Sequence, residues 1–255
     1  MNRMPYKYEN VSMDYSDLAS GRVFYSVPGH PAFPVRLASE IFQRCMAHRE
    51  RIYQNSTPCT LYDPCCGTAY HLSVLAYLHG NQIREILASD IDTKAVALAK
   101  RNLGLLTVEG LDQRIKEIDK MTEQYHKDSH KEALASAQML KTRITALSQD
   151  HPLATKVFQA SALDREAILT NVGANSADVI FTDVPYGQHS QWQVSNSGEG
   201  DNPIESMLDA LGGVLSASSI VTLVSDKGQK AAHPNYQRVE QFQIGKRRVV
   251  ILRPT

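Results

Sequence analysis

Short apolar runs and longer segments of helical periodicity alternate along most of this chain. Residues 59 to 106 read as strand, turn, helix, strand and second helix, because CTLYD and EILASD are strand-type runs separated by helix-length segments. Further apolar runs follow at ATKVFQA, ADVIFTD and SSIVTLVSD. Between the last two lies a helix start signal: Asn202 as cap, Pro203 at the first helical position and Glu205 three residues after the cap. Alternation of this kind predicts a doubly wound α/β sheet with parallel strands and helices on both faces. The tail YQRVEQFQIGKRRVVIL predicts instead two strands turning at Gly245, a hairpin that finishes the sheet with an antiparallel edge.

Residues 107–150 break the alternation. Leu111, Ile115, Ile118 and Met121 recur at helical spacing, then Leu140, Ile144 and Leu147 do the same, which predicts two helices inserted after the second strand's helix. The break is expected near Lys127 to Ser129, with Ser129 and Glu132 as a capping box for the second helix. Both a solvated hairpin packed on the domain and an RNA-guiding insertion fit this charged stretch. His126 and His130, four apart within it, read as surface residues. Residues 188–203, QHSQWQVSNSGEGDNP, read as a loop and hold the single tryptophan, Trp192.

No repeat or low-complexity linker divides the chain, so 1–255 reads as one domain with an N-terminal extension over 1–57. At 255 residues, 42% apolar and 21% charged, the composition excludes a disordered or fibrous chain. Twenty-seven basic residues balance 27 acidic ones, so nucleic acid can be held only by local patches. One such patch is the last thirty residues: Lys227, Lys230, Arg238, Lys246, Arg247, Arg248 and Arg253 face only Asp226 and Glu240. A solvated edge hairpin explains the same run.

The first residues lack an apolar leader, and no apolar run is long enough to span a bilayer, so a cytoplasmic protein is expected. Cys45, Cys59, Cys65 and Cys66 lack a disulfide framework and zinc spacing; reduced thiols and no metal are expected.

Three strand ends carry candidate chemistry. After the first strand, Asp63-Pro64-Cys65-Cys66-Gly67-Thr68-Ala69 forms a tight turn into a helix, where backbone N–H groups can approach a ligand. One glycine is too few for G-x-G-x-x-G, so a small zwitterion such as the methionine end of S-adenosylmethionine suits it better than a pyrophosphate. The second strand ends in Asp90 and Asp92. Asp90 is placed to accept ribose hydroxyls, whereas Asp92 reads equally as a helix N-cap. The fourth ends in Asp183-Val184-Pro185-Tyr186, where a carboxylate and a carbonyl can hold a planar nitrogen substrate and the Tyr186 ring can stack on it.

DPCCGTAY, ASDID and DVPYG, in this order and at these positions, resemble motifs I, II and IV of class I S-adenosylmethionine-dependent methyltransferases that act on nucleobase nitrogens. From about Ser16 to Val250, and most specifically in GHPAFPVRLASEIFQR, the chain is similar to the avilamycin-resistance family of 23S rRNA guanine methyltransferases. That resemblance implies a Rossmann-like seven-stranded mixed sheet and methyl transfer to a guanine of 23S rRNA, at N1, with free rRNA or the large ribosomal subunit as partner and avilamycin resistance as an outcome. A monomer is expected. Carried over by motif position, Asp63 and the backbone from Cys65 through Cys66 and Gly67 to Ala69 would hold the methionine moiety, Asp90 and Asp92 the ribose side, and Ser161 the adenine. Asp183, Pro185 and Tyr186 would form the catalytic strand end. Arg36, Trp192, Lys246, Arg247 and Arg248 would meet the RNA.

Three positions depart from the pattern. Ser161 stands where an acidic residue is common, leaving backbone groups or Asp164 for the adenine; Val184 replaces a proline; Ala69 replaces a glycine. Other readings remain: an N-methyltransferase of another RNA, of DNA adenine or of a protein amide, and a non-catalytic RNA-binding or ribosome-assembly factor. A 5-methylcytosine enzyme is disfavoured, because Cys65 lies in the cofactor turn rather than beside the base.

Overall fold

In a computed structural model, residues 6–27, 32–150, 153–184, 202–229 and 231–255 are described. The strands are β1 (Cys59–Asp63), β2 (Ile83–Asp90), β3 (Ala154–Gln159), β4 (Ala177–Asp183), β5 (Leu215–Asp226), β6 (Tyr236–Ile244) and β7 (Arg247–Pro254). They form one sheet in the order β3-β2-β1-β4-β5-β7-β6. The first five are parallel, whereas β7 runs antiparallel to both β5 and β6. Strands β1 and β4 lie in the centre, and every residue of β1 is buried, as expected of apolar runs covered on both faces.

The helices are α1 (Val35–Tyr53), α2 (Tyr70–His79), α3 (Thr93–Gly104), α4 (Val108–Tyr125), α5 (Asp128–Asp150), α6 (Arg165–Val172) and α7 (Pro203–Leu211). Helix α7 starts as its sequence signals, with Asn202 Oδ1 accepting from Ile204 N and Pro203 at its first position. Helix α1 packs against the sheet with Leu37, Ile41, Phe42 and Cys45 buried, so the N-terminal region shares the main core.

The insertion is two helices, as its periodicity predicts, but the start of the second differs. His126 caps α4 in the left-handed conformation (φ 51°), and α5 begins at Asp128, so Ser129 lies inside the first turn instead of capping it. The reversal is made by His126 and Lys127, so the helix has already begun at 129. Gly110 permits the close join of α3 to α4: a Cβ there would sit 2.0 Å from the Gly104 carbonyl oxygen.

Parallel β1, β2, β3 and β4 all point their carboxyl ends to one edge of the sheet. Between β1 and β4 the strand order reverses, which opens the crevice where open α/β sheets bind ligands. Because β7 is antiparallel, its first residue, Arg247, pairs with Asp226 at the end of β5 and lies at this same edge.

Candidate functional site

The two edges of the sheet treat buried charge differently. At the amino edge, Asp178 is matched: Thr60 N (2.9 Å) and Ser216 Oγ (2.8 Å) donate to it, and Arg49 (3.5 Å) and Arg84 (3.3 Å) pair with it. At the carboxyl edge, Asp63 ends β1 with none of its side chain exposed to solvent. Its Oδ1 accepts from Cys65 N at 2.9 Å, but among the described residues Oδ2 has no hydrogen-bond partner. His71 Nε2 stands 3.3 Å from that oxygen without bonding to it.

Burial pushes the Asp63 carboxyl up to about 8, opposed by the Thr182 side chain and the Cys65 N–H, while the nearby Asp90 and Asp183 charges add to the rise. Burial likewise pulls His71 down to about 4. Burial thus disfavours the charged form of both groups. Asp63, Asp90 and Asp183 end the parallel strands β1, β2 and β4 at one edge of the sheet.

The turn after Asp63 is tied to β2. Cys66 N donates to Ser89 O (2.9 Å), and Gly67 N donates to Asp90 Oδ2 (2.9 Å). Asp90 Oδ1 accepts from Asp92 N (2.9 Å), so both carboxylate oxygens are held by backbone N–H groups. Burial raises its pKa. Gly67 (φ 54°) and Ala69 (φ 53°) are both left-handed, a conformation that glycine adopts freely and alanine does not. Cys65 and Cys66 thiols are pushed well above their ordinary value, first by burial and then by Asp63 and Asp90, which makes them poor nucleophiles. All four cysteines are free.

Asp183 ends β4, paired with Val224 of β5, and Val184 N continues the ladder to Val224 O (2.9 Å). Pro185, Tyr186 and Trp192 lie outside the described residues. Asp92 caps α3, its Oδ1 accepting from Lys94 N at 2.9 Å. Ser161 follows β3, beside the end of β2 through Ala160 N to Asp90 O (3.1 Å), and its hydroxyl accepts from Leu163 N (3.2 Å). Asp164 caps α6 by accepting from Ala167 N.

The basic residues divide. Lys246 is exposed in the hairpin turn beside Gly245 (φ 59°). Arg247 lies over the Phe33 ring at 5.3 Å, and Phe33 in turn meets His71 and Phe181, each at 5.6 Å. Arg248 donates to Gln229 O (3.3 Å) and Gln241 Oε1 (3.1 Å). Arg36 is spent internally: Nε (2.9 Å) and Nη2 (2.5 Å) donate to Glu9 O, and the guanidinium stacks 4.1 Å from the Tyr6 ring centroid, anchoring the N-terminal segment. Phe33 and His71 were not singled out from sequence; the apolar residue inside PAFPVRL was the available signal for the first, and nothing marked the second.

A five-stranded parallel sheet extended by an antiparallel hairpin, with acidic residues ending its first, second and fourth strands, defines a Rossmann-like methyltransferase fold. The chain belongs to the AviRa family of rRNA methyltransferases, which matches residues 4–247. The 23S rRNA (guanine(2535)-N(1))-methyltransferase of Streptomyces viridochromogenes is 37% identical over 248 residues, covering 97% of this chain and 95% of that relative. Two solved structures of the rRNA methyltransferase AviRa from the same organism, at 1.5 and 2.4 Å, align with TM-scores of 0.85 and 0.83. Their identities are 36% and 35%, over 98% and 97% of this chain and 96% of each of theirs.

Proposed function

We propose that this protein transfers the methyl group of S-adenosylmethionine to N1 of a guanine in 23S rRNA. The observation that carries this reading is that Asp63 and Asp183 end the two strands flanking the strand-order reversal, while the turn after Asp63 is bonded to Asp90 at the end of the next strand. The base and its position are supported by the name of the 37% identical relative, and the number 2535 belongs to that relative.

The residues present fit this cofactor. A buried carboxyl oxygen without a partner among the described residues, beside a turn, is the environment that a cationic amino acid relieves, and no described residue lies within 4 Å of the space beside the Gly67 Cα. S-adenosylmethionine supplies an electrophilic methyl group on a sulfonium. Asp63 acts from behind the turn, holding Cys65 N–H and lending negative charge once its proton leaves. Asp90 accepts ribose hydroxyls with its remaining lone pairs, and Ser161 lies beside it for the adenine side.

Asp183 accepts the hydrogen bond of guanine N1–H and takes that proton as N1 gains the methyl group. The Val184 carbonyl accepts from the exocyclic amine, Pro185 fixes the chain and Tyr186 stacks on the base. Trp192, Lys246, Arg247 and Arg248 hold RNA around the target, the basic side chains through phosphates. This reaction belongs with ribosomes in the cytoplasm. No helix among the described residues is long and apolar enough to cross a membrane.

The test is incubation of the purified protein with methyl-labelled S-adenosylmethionine and, separately, naked 23S rRNA, large subunits, duplex DNA or cell protein. Label is expected in 23S rRNA as 1-methylguanosine after nuclease digestion. Label confined to DNA or protein overturns the substrate, and absence of label with normal cofactor binding favours a non-catalytic factor.

A further inference from the structure

The helical insertion and the strap before α1 have no part in the reaction above, yet they converge on the cofactor turn through one side chain. Asn102, in α3, is fully buried. Its Oδ1 accepts from Tyr25 N (2.7 Å), while Nδ2 donates to Tyr25 O (2.9 Å) and to Thr68 O (2.9 Å). The orientation of the carboxamide is set by its partners, since a backbone N–H can only donate and a carbonyl can only accept.

Thr68 lies between the two left-handed residues of the turn. The peptide unit joining Thr68 to Ala69 is clamped at both ends: Ala69 N donates to Cys66 O (2.7 Å), and the Thr68 carbonyl is held by Asn102. Ala69 is a non-glycine residue at φ 53°, and such a residue persists only where its surroundings over-determine the backbone. Without Asn102 the Thr68 carbonyl loses this partner and the peptide plane can turn, re-aiming the N–H groups of the turn.

Tyr25, the other partner of Asn102, is fixed by Arg101 of α3 and by the insertion's Arg114 and Glu117. Arg101 and Arg114 place their guanidinium groups 3.6 and 4.3 Å from its ring centroid, and its hydroxyl donates to Glu117 (2.8 Å). Glu117 also pairs with both arginines. Arg114 Nε donates to Val23 O (2.8 Å), and from α5 Ser136 donates to Asp17 (2.7 Å) while Glu132 pairs with Arg22 (3.0 Å). The strap thus lies along the insertion, and its far side is pinned to the turn.

We infer that Asn102 is a positioning residue for cofactor binding, and that the insertion acts through Tyr25 and Asn102 as a brace for the 65–69 turn. This rests on the reading of that turn as the S-adenosylmethionine cradle. The side chain does not touch the reacting groups; it holds the backbone that would.

The experiment compares wild type with Asn102→Ala and with Asn102→Asp, which keeps an acceptor for Tyr25 N but loses the amide donor to Thr68 O. Binding of S-adenosylmethionine is measured by calorimetry, steady-state constants are measured for cofactor and 23S rRNA, and amide exchange is followed at 66–69 and 23–27. In either variant that melts cooperatively, cofactor affinity is expected to fall about ten-fold. The KM for RNA and kcat at saturating cofactor should stay near wild type, and amides at 66–69 should exchange faster. In the wild type, adding cofactor should slow exchange at 23–27 as well as in the turn, a readout independent of whether either variant folds. Wild-type affinity in a folded variant, equal losses in kcat and in both KM values, or strap amides indifferent to cofactor would each overturn the inference. A wild type that binds no S-adenosylmethionine in the same titration removes the methyltransferase reading itself.

Discussion

Asp63 Oδ2 and His71 Nε2 face each other at 3.3 Å, sealed from solvent, where burial disfavours the charged form of each. The folded protein holds the Asp63 proton between its unfolded value near 3.8 and its folded value of about 8, a range in which the unfolded chain has released it. That lowers stability as pH rises. His71 works in the opposite direction between about 4 and 6.5, where the unfolded imidazole binds a proton that the folded one refuses. The two offset each other up to about 6.5, and only the Asp63 fall remains above it.

Urea unfolding of the ligand-free protein should therefore show Asp63 lowering stability between pH 6.5 and 8, with a slope of at most about 1.4 kcal/mol per pH unit. Asp63→Asn, which keeps the acceptor for Cys65 N, should abolish that slope. An identical slope in the variant would place its origin elsewhere. With cofactor present, affinity should rise over the same pH range in wild type and stay flat in the variant.

Asp183→Asn keeps the size of the side chain and removes the base. Turnover is expected to drop by about a hundred-fold or more, with cofactor affinity changed far less. Single-turnover methylation and calorimetry separate the two, and equal losses would mean that Asp183 organises the cofactor pocket.

Gly67→Ala meets no steric block from the described residues, none of which lies within 4 Å of the added Cβ, but it places alanine at φ 54°. A stability loss of about 1 kcal/mol is expected from the backbone. Binding of S-adenosylmethionine should weaken beyond that, and unchanged affinity would show that the ligand does not approach this Cα.

Lys246→Glu and Arg247→Glu, at the carboxyl edge, should weaken binding of 23S rRNA fragments and flatten its dependence on salt, by roughly one unit of log-log slope for each phosphate no longer neutralised. Cofactor affinity should not move. A salt slope equal to that of the wild type would leave the hairpin as a solvated edge.

Much of the scaffold was legible because it rests on local rules. CTLYD and ADVIFTD carry short apolar runs and become the central strands, while Asn202-Pro203 starts α7 as written. The acidic residues at 63, 90 and 183 could be placed at strand ends because each follows such a run. The break at 126–127 overlaps the expected 127–129, and only the start of α5 differs, because Ser129 and Glu132 satisfy a local capping pattern that the reversal at left-handed His126 pre-empts.

The sequence by itself determined the alternation of strands and helices, the hairpin at Gly245 and the three acidic strand ends, since those depend on spacing within a few residues. Only the tertiary structure decided that Arg36 is consumed by Glu9, that Arg247 reaches Phe33 at the ligand edge, that Asp63 is shut in with His71, and that Asn102 joins residue 25 to residue 68. Those outcomes turn on which distant segments are packed together and how fully water is excluded from between them. Neither leaves a local pattern in the chain.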